Sequence, residues 1–149
     1  MSLDRTVDLA AIRRFVQVVE NTQWQRNADA FLALFAPDAV WTNPAGHRLT
    51  GLDEIAPFAR QGLASAPRDV YATYEVENVI FLGEDVAVVN VRSRAVDGNR
   101  RTIPGEPDGA KLYVLVRHKK DWLLAAGHNT FVMEIAIERQ ERELEAVQA

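Results

Sequence analysis

FLALFAPDAVWTNPAG, residues 31–46, changes its structural character twice within a few turns of chain. Phe31, Leu32, Leu34 and Phe35 carry a short helix that Asn27 can cap, because an Asn side-chain oxygen satisfies free N–H groups of a first turn. Pro37 stops that helix, since the residue before a proline is pushed out of the helical region. AVWTN then reads as a short strand, PAGH as a turn and RLT as a brief returning segment.

Upstream of this stretch, Ile12, Phe15, Val16 and Val19 recur at helical spacing between Asp8 and about Thr22, with Arg13, Arg14, Gln17 and Glu20 on the other side. An amphipathic helix follows. Downstream, Thr50 with Asp53 three residues on approximates a capping box and opens a third helix carrying Leu52, Ile55, Phe58 and Leu63. Pro57 is expected to shorten or kink it.

Beyond residue 70 the period changes. β-Branched and aromatic residues dominate 70–82, 86–96, 111–119 and 122 to about 132, which predicts four long strands. GED at 83–85 and KKD at 119–121 are hairpin-length connections. DGNRRTIPGEPDG at 97–109, rich in Gly and Pro, predicts a mobile flap. The charged residues 133–149 predict a terminal helix, frayed or packed on a partner. With no repeat or linker, 1–149 reads as a single domain with a core over about 8–132 and a helical tail over 133–149.

Three helices followed by four long strands predict an α+β fold, a cone-shaped curved antiparallel (mixed) sheet packed against three N-terminal helices. The concave interior of such a sheet is where a ligand sits. Composition narrows the ligand classes. A net charge of -4 and scattered basic pairs argue against nucleic acid and against an anionic membrane surface. The absence of cysteine removes disulfides, thiolate zinc sites and a cysteine nucleophile. The acidic N-terminus lacks the apolar run of a leader or span, so a cytoplasmic location is the default expectation. The three histidines are far apart, and no phosphate loop occurs, so neither a metal nor a cofactor is expected.

FLALFAPDAVWTNPAG, then LTGLDEI, then DWLLAAGHNTFV, in that order, resemble the nuclear transport factor 2-like superfamily, and within it the SnoaL-like polyketide cyclases and the SgcJ/EcaC-like group of enediyne and other natural-product pathways. The resemblance spans Arg14 to Val132 and implies the cone-shaped fold, a small hydrophobic or aromatic metabolite as partner, and a homodimer packed through its sheets. Ketosteroid isomerase, an enzyme on this fold, uses an Asp-Pro-x-Gly segment as base; here the matching residues are Asn43-Pro44-Ala45-Gly46. An amide accepts no proton near neutral pH, and the position of the isomerase's helical tyrosine falls at Val19.

Strand alternation puts Leu124, Ala126, His128 and Thr130 on one face and Ala125, Gly127, Asn129 and Phe131 on the other. With the first set inward, His128 is the candidate proton-transfer group and Thr130 a ligand contact; alternatively His128 is neutral and hydrogen-bonded. Asn129 then belongs to the opposite face, as a dimer-interface or sheet-satisfying residue. A bulge marked by Gly127 would reverse these facings. Asn43 either donates to a substrate oxygen or forms an Asx turn into Pro44; His47, beside it, is expected in solvent. Trp24 and Trp41 either floor a pocket or pack the core. Among the strand tyrosines, Tyr74 and Tyr113 are candidates to donate to a ligand oxygen. Asn90, Arg92 and Arg94 share a face that meets solvent, a second subunit or a charged ligand. The expected function is a pocket for an apolar or aromatic metabolite, serving a cofactor-free isomerase or cyclase, or alternatively a carrier or self-resistance protein.

Overall fold

A computed structural model describes residues 4–149. In chain order the elements are α1 (Thr6–Trp24), α2 (Ala28–Leu32), β1 (Phe35–Thr42), β2 (Arg48–Thr50), α3 (Leu52–Ala64), β3 (Tyr71–Phe81), β4 (Val86–Val96), β5 (Gly109–His118), β6 (Asp121–Phe131) and α4 (Glu134–Gln148). Alternation fixes the faces of the sheet: along β4, Ala87, Val89, Val91 and Ser93 are buried, while Val88, Asn90 and Arg92 are partly exposed on the outside. The strand order is β2-β1-β6-β5-β4-β3. β1 runs parallel to β6 and every other neighbouring pair is antiparallel, giving the curved, mixed α+β cone. Ile12, Phe15, Val16 and Val19 of α1 join Val89, Val91, Leu115 and Leu124 in the core between helices and sheet.

Several boundaries differ from the sequence reading. α2 ends at Leu32, and Phe35 begins a strand instead of closing a helix. The cause is long-range: Leu124 N–H donates to the Leu34 carbonyl at 2.8 Å, and Phe35 pairs with Leu124. Pro37 therefore lies inside β1, at the irregularity between Phe35 and Val40 where a missing donor is tolerated. Asn27 does cap α2, accepting from Ala30 N–H at 3.0 Å. At α3 the expected partner of Thr50 is displaced by one residue, because Thr50 N–H donates to Glu54 Oε2 at 2.7 Å and not to Asp53. Pro57 sits within α3 without ending it.

Glu20, expected on the polar side of α1, is 4% exposed. It closes the free edge of the sheet. Its Oε2 accepts from Tyr74 N–H at 2.8 Å, and one turn on, Trp24 Nε1–H donates to the Ala72 carbonyl at 2.8 Å. Residues 72 and 74 point their polar backbone groups toward the same side of β3, so an i, i+4 pair on α1 covers them both.

The connection between β4 and β5 is tied down along its length: Asp97 Oδ1 accepts from Asn99 and Arg101 N–H, Gly98 N–H donates to Asp69, and Val96 bridges Thr102. α4 forms as expected and buries none of its residues. Among the described residues no helix is long and apolar enough to cross a membrane.

Candidate functional site

A cavity of about 510 Å³ lies between the concave face of the sheet and the helices. Its walls are largely aromatic: Trp24 from α1, Phe31 from α2, Trp41 from β1, Phe58 from α3, Tyr71 and Tyr74 from β3, Tyr113 from β5 and Phe131 from β6. Trp24 stacks on Tyr71 with ring centroids 4.3 Å apart, and Trp41 leans on Phe35 and Tyr113 at 6.0 and 6.1 Å. Trp24, Trp41, Tyr74, Tyr113 and Asn43 are thus brought together by the fold.

His128 and Thr130 are not. Leu115 pairs with Leu124 and Val114 with Ala126, so Ala125 is an extra residue in β6. This bulge reverses the alternation above it. Trp122 and Leu124 face inward below the bulge, and Gly127, Asn129 and Phe131 face inward above it. The expected inward facing of His128 and Thr130 is therefore overturned: both are exposed, on the outer face. Asn129, expected outside, lines the cavity.

Asn43 contributes less than a free amide. Its Oδ1 accepts from Ala45 N–H and His47 N–H, both at 3.0 Å, which is the Asx turn that carries the chain through Pro44 and Gly46. Its amide nitrogen is the group left to meet a ligand. His47 is exposed and packs edge-on against Phe58.

The polar end of the cavity is one that the sequence reading missed. Lys111 projects inward from β5 between the apolar walls, and its Nζ donates to Asn129 Oδ1 at 2.9 Å. The same ammonium lies 5.2 Å from the centre of the Tyr74 ring. Desolvation pulls the Lys111 amine down to about 8. Burial pushes the Tyr74 phenol well above its ordinary range, with the charge of Glu20 adding to the effect, and burial likewise raises Tyr113, with Tyr74 contributing. Both phenols keep their protons and act as neutral donors. Ser93, 7% exposed, completes this end. The signal in the sequence was parity: Lys111 shares a strand face with Tyr113 and Leu115, so whichever face was apolar and inward carried the lysine with it. Among the described residues no three histidine or carboxylate side chains converge to hold a metal.

An open, curved α+β sheet closing with its helices over a ligand-sized cavity that has aromatic side chains in its walls belongs to a class of small-molecule-binding and isomerase-type folds. Residues 12–120 match the SnoaL-like domain, and the chain belongs to that family. No curated protein matches it. Among solved structures it is similar to a domain of unknown function with a cystatin-like fold from Nostoc punctiforme, at 23% identity and a TM-score of 0.77, covering 95% of this chain and 87% of that one. It is similar to a candidate scytalone dehydratase from Novosphingobium aromaticivorans, at 19% identity and a TM-score of 0.69, covering 85% of each chain. A ketosteroid isomerase-like protein from Erwinia carotovora atroseptica aligns at 17% identity and a TM-score of 0.69, covering 86% of this chain and 98% of that one.

Proposed function

We propose that this protein encloses an apolar or aromatic metabolite, of the polyketide type handled by SnoaL-like cyclases, in its conical cavity. The observation that carries the reading is the cavity: about 510 Å³ walled by Trp24, Trp41, Tyr74 and Tyr113, with polar groups at few points. That volume lies in the range of small-molecule sites, roughly 300–1,000 Å³. A flat ring system gains contact on the indole and phenol faces, and the amide nitrogen of Asn43 is placed to donate to a ligand oxygen.

A second reading, cofactor-free isomerisation or cyclisation, is favoured by Lys111. An amine that titrates near pH 8 can in its neutral form take a proton from carbon and, as the ammonium, return it to another atom of the enolate, whose oxygen the two protonated phenols hold meanwhile. His128, facing outward, has no part in it. The protein is further proposed to pair as a homodimer through the outer face of the sheet, where Leu112 is 38% exposed directly opposite His128.

Titration with flat aromatic probes such as 2-naphthol, read by tryptophan fluorescence, tests the pocket, since Trp24 and Trp41 line it and Trp122 does not. Saturable quenching with a raised melting temperature is expected. A Cβ added to Gly62, a lining residue of α3, meets open space, so Gly62→Phe should enter the cavity and lower affinity at least tenfold. Absence of saturable quenching rejects the reading. A cognate ligand recovered unchanged after long incubation supports a carrier; conversion by the native protein at saturating ligand that is lost in Lys111→Met, also at saturating ligand, supports the enzyme.

A further inference from the structure

Among the described residues, no carboxylate lies within salt-bridge distance of the cavity cation Lys111. On the outer face of the sheet the arginines of β4 have carboxylates: Arg92 Nε meets Asp108 at 2.9 Å and Arg94 Nη1 meets Glu75 at 3.8 Å. Lys111, facing inward from the next strand, has neutral partners instead, the Asn129 amide oxygen at 2.9 Å and the face of Tyr74. Both stabilise positive charge without neutralising it.

Glycine keeps this end of the cavity open. A Cβ on Gly109 would collide with Ser93 Oγ and stand 3.5 Å from Lys111 Nζ and 3.6 Å from Asn129 Oδ1. A hydroxyl, an ammonium and an amide therefore border one small space beside the aromatic walls. Charge in an apolar enclosure is costly until an opposite charge is brought to it.

We infer that the cavity takes its ligand as an anion: an aromatic or conjugated acid whose carboxylate, phenolate or enolate oxygen contacts Lys111 Nζ, with Asn129 holding the ammonium in place and the ring system lying between the tryptophans and tyrosines. This rests on the cavity being a ligand site and adds the charge of what fills it. Two other charged residues line the cavity. Arg26 donates to the Pro67 carbonyl at 2.9 Å and lies over Tyr71, and Glu106 belongs to the connection before β5 and is exposed, where it disfavours an anion.

Two probes of one shape separate the possibilities: 2-naphthoate and its uncharged isostere 2-naphthamide, titrated against the full-length protein at pH 6.5. The native protein should bind naphthoate at least tenfold more tightly. Lys111→Met, an uncharged side chain one atom shorter, should reduce that preference below threefold by weakening naphthoate binding, and Arg26→Gln should preserve it. Raising the pH through the titration of the amine should weaken the preference in the native protein alone. Equal affinity for the two probes, preference retained in Lys111→Met, or preference lost only in Arg26→Gln overturns the assignment of Lys111 while leaving the cavity as a ligand site. Binding of neither probe, nor of 2-naphthol, overturns the pocket reading and this inference with it.

Discussion

Gly127 of β6 lies under the ring of Trp41, its partner across the parallel β1–β6 pair, so closely that a Cβ at residue 127 would collide with the indole. The absence of a side chain sets how far the indole stands from the sheet. Gly127→Ala should displace Trp41 into the cavity and cost about 1–3 kcal/mol, the usual range for overpacking. A lowered urea midpoint together with a shifted tryptophan emission checks this; an unchanged midpoint means that the ring has room to move.

Glu20 seals an edge that would otherwise offer unpaired backbone groups. Glu20→Ala leaves the Tyr74 N–H without its acceptor, at a cost of about 1–3 kcal/mol. Glu20→Gln retains an acceptor and should lose less. Hydrogen exchange at the Tyr74 amide gives the specific readout, with fast exchange expected in the alanine variant.

Lys111 makes stability depend on pH in a direction opposite to that of a paired lysine. Its folded pKa of about 8 lies below the ordinary 10.5, so between those values the unfolded chain holds the extra proton and stability rises with pH. Below pH 8 the full cost of the buried charge is present. Lys111→Met should therefore be more stable than the native protein at pH 7, by up to roughly 3 kcal/mol. The advantage should fade between pH 8 and 10.5 in paired thermal melts.

Asp8 behaves in the reverse sense. Arg117 holds it through two hydrogen bonds of 2.9 and 3.1 Å, Arg5 adds one of 2.8 Å, and together they lower its carboxyl from 3.8 to about 2. The stabilisation is complete above about pH 4 and is lost as the pH falls through 2. Solvent access reduces its size, so Asp8→Asn should cost about 1 kcal/mol at pH 6. No difference between the two proteins should remain well below pH 2.

For the homodimer, Leu112→Glu places a charge at the centre of the proposed contact. A change from dimer to monomer mass in sedimentation, with the circular dichroism spectrum retained, is the expected outcome. A native protein that is already monomeric at micromolar concentration sinks the dimer.

Much of the fold was legible because local pattern and tertiary environment agree. The alternation in Val86–Val96 and the turn residues around Gly83 and Lys119 report directly on strands buried on one face. Where the two differ, the cause is a contact distant in sequence. The apolar spacing of Leu34 and Phe35 suits a helix or a strand equally, and it is β6 that decides. Glu20 looks like a solvent-facing residue until β3 arrives beside it. In the site, the aromatic lining was visible as residue types, whereas Lys111 stayed hidden because the inward face of β5 is fixed only by its pairing with β4 and β6.

Ala125 acts as a phase shifter in β6. The chain on either side of it is out of step by one residue, so Leu124 packs into the core and Asn129 reaches the polar end of the cavity. If Ala125 were instead paired opposite Val114, the register above it would slip by one residue and turn the imidazole of His128 and the hydroxyl of Thr130 inward in place of Asn129. The same amino acids in the same order would thus present a different set of reactive groups to the same space. One step of register is what separates an amide that steadies a cation from an imidazole that could move protons.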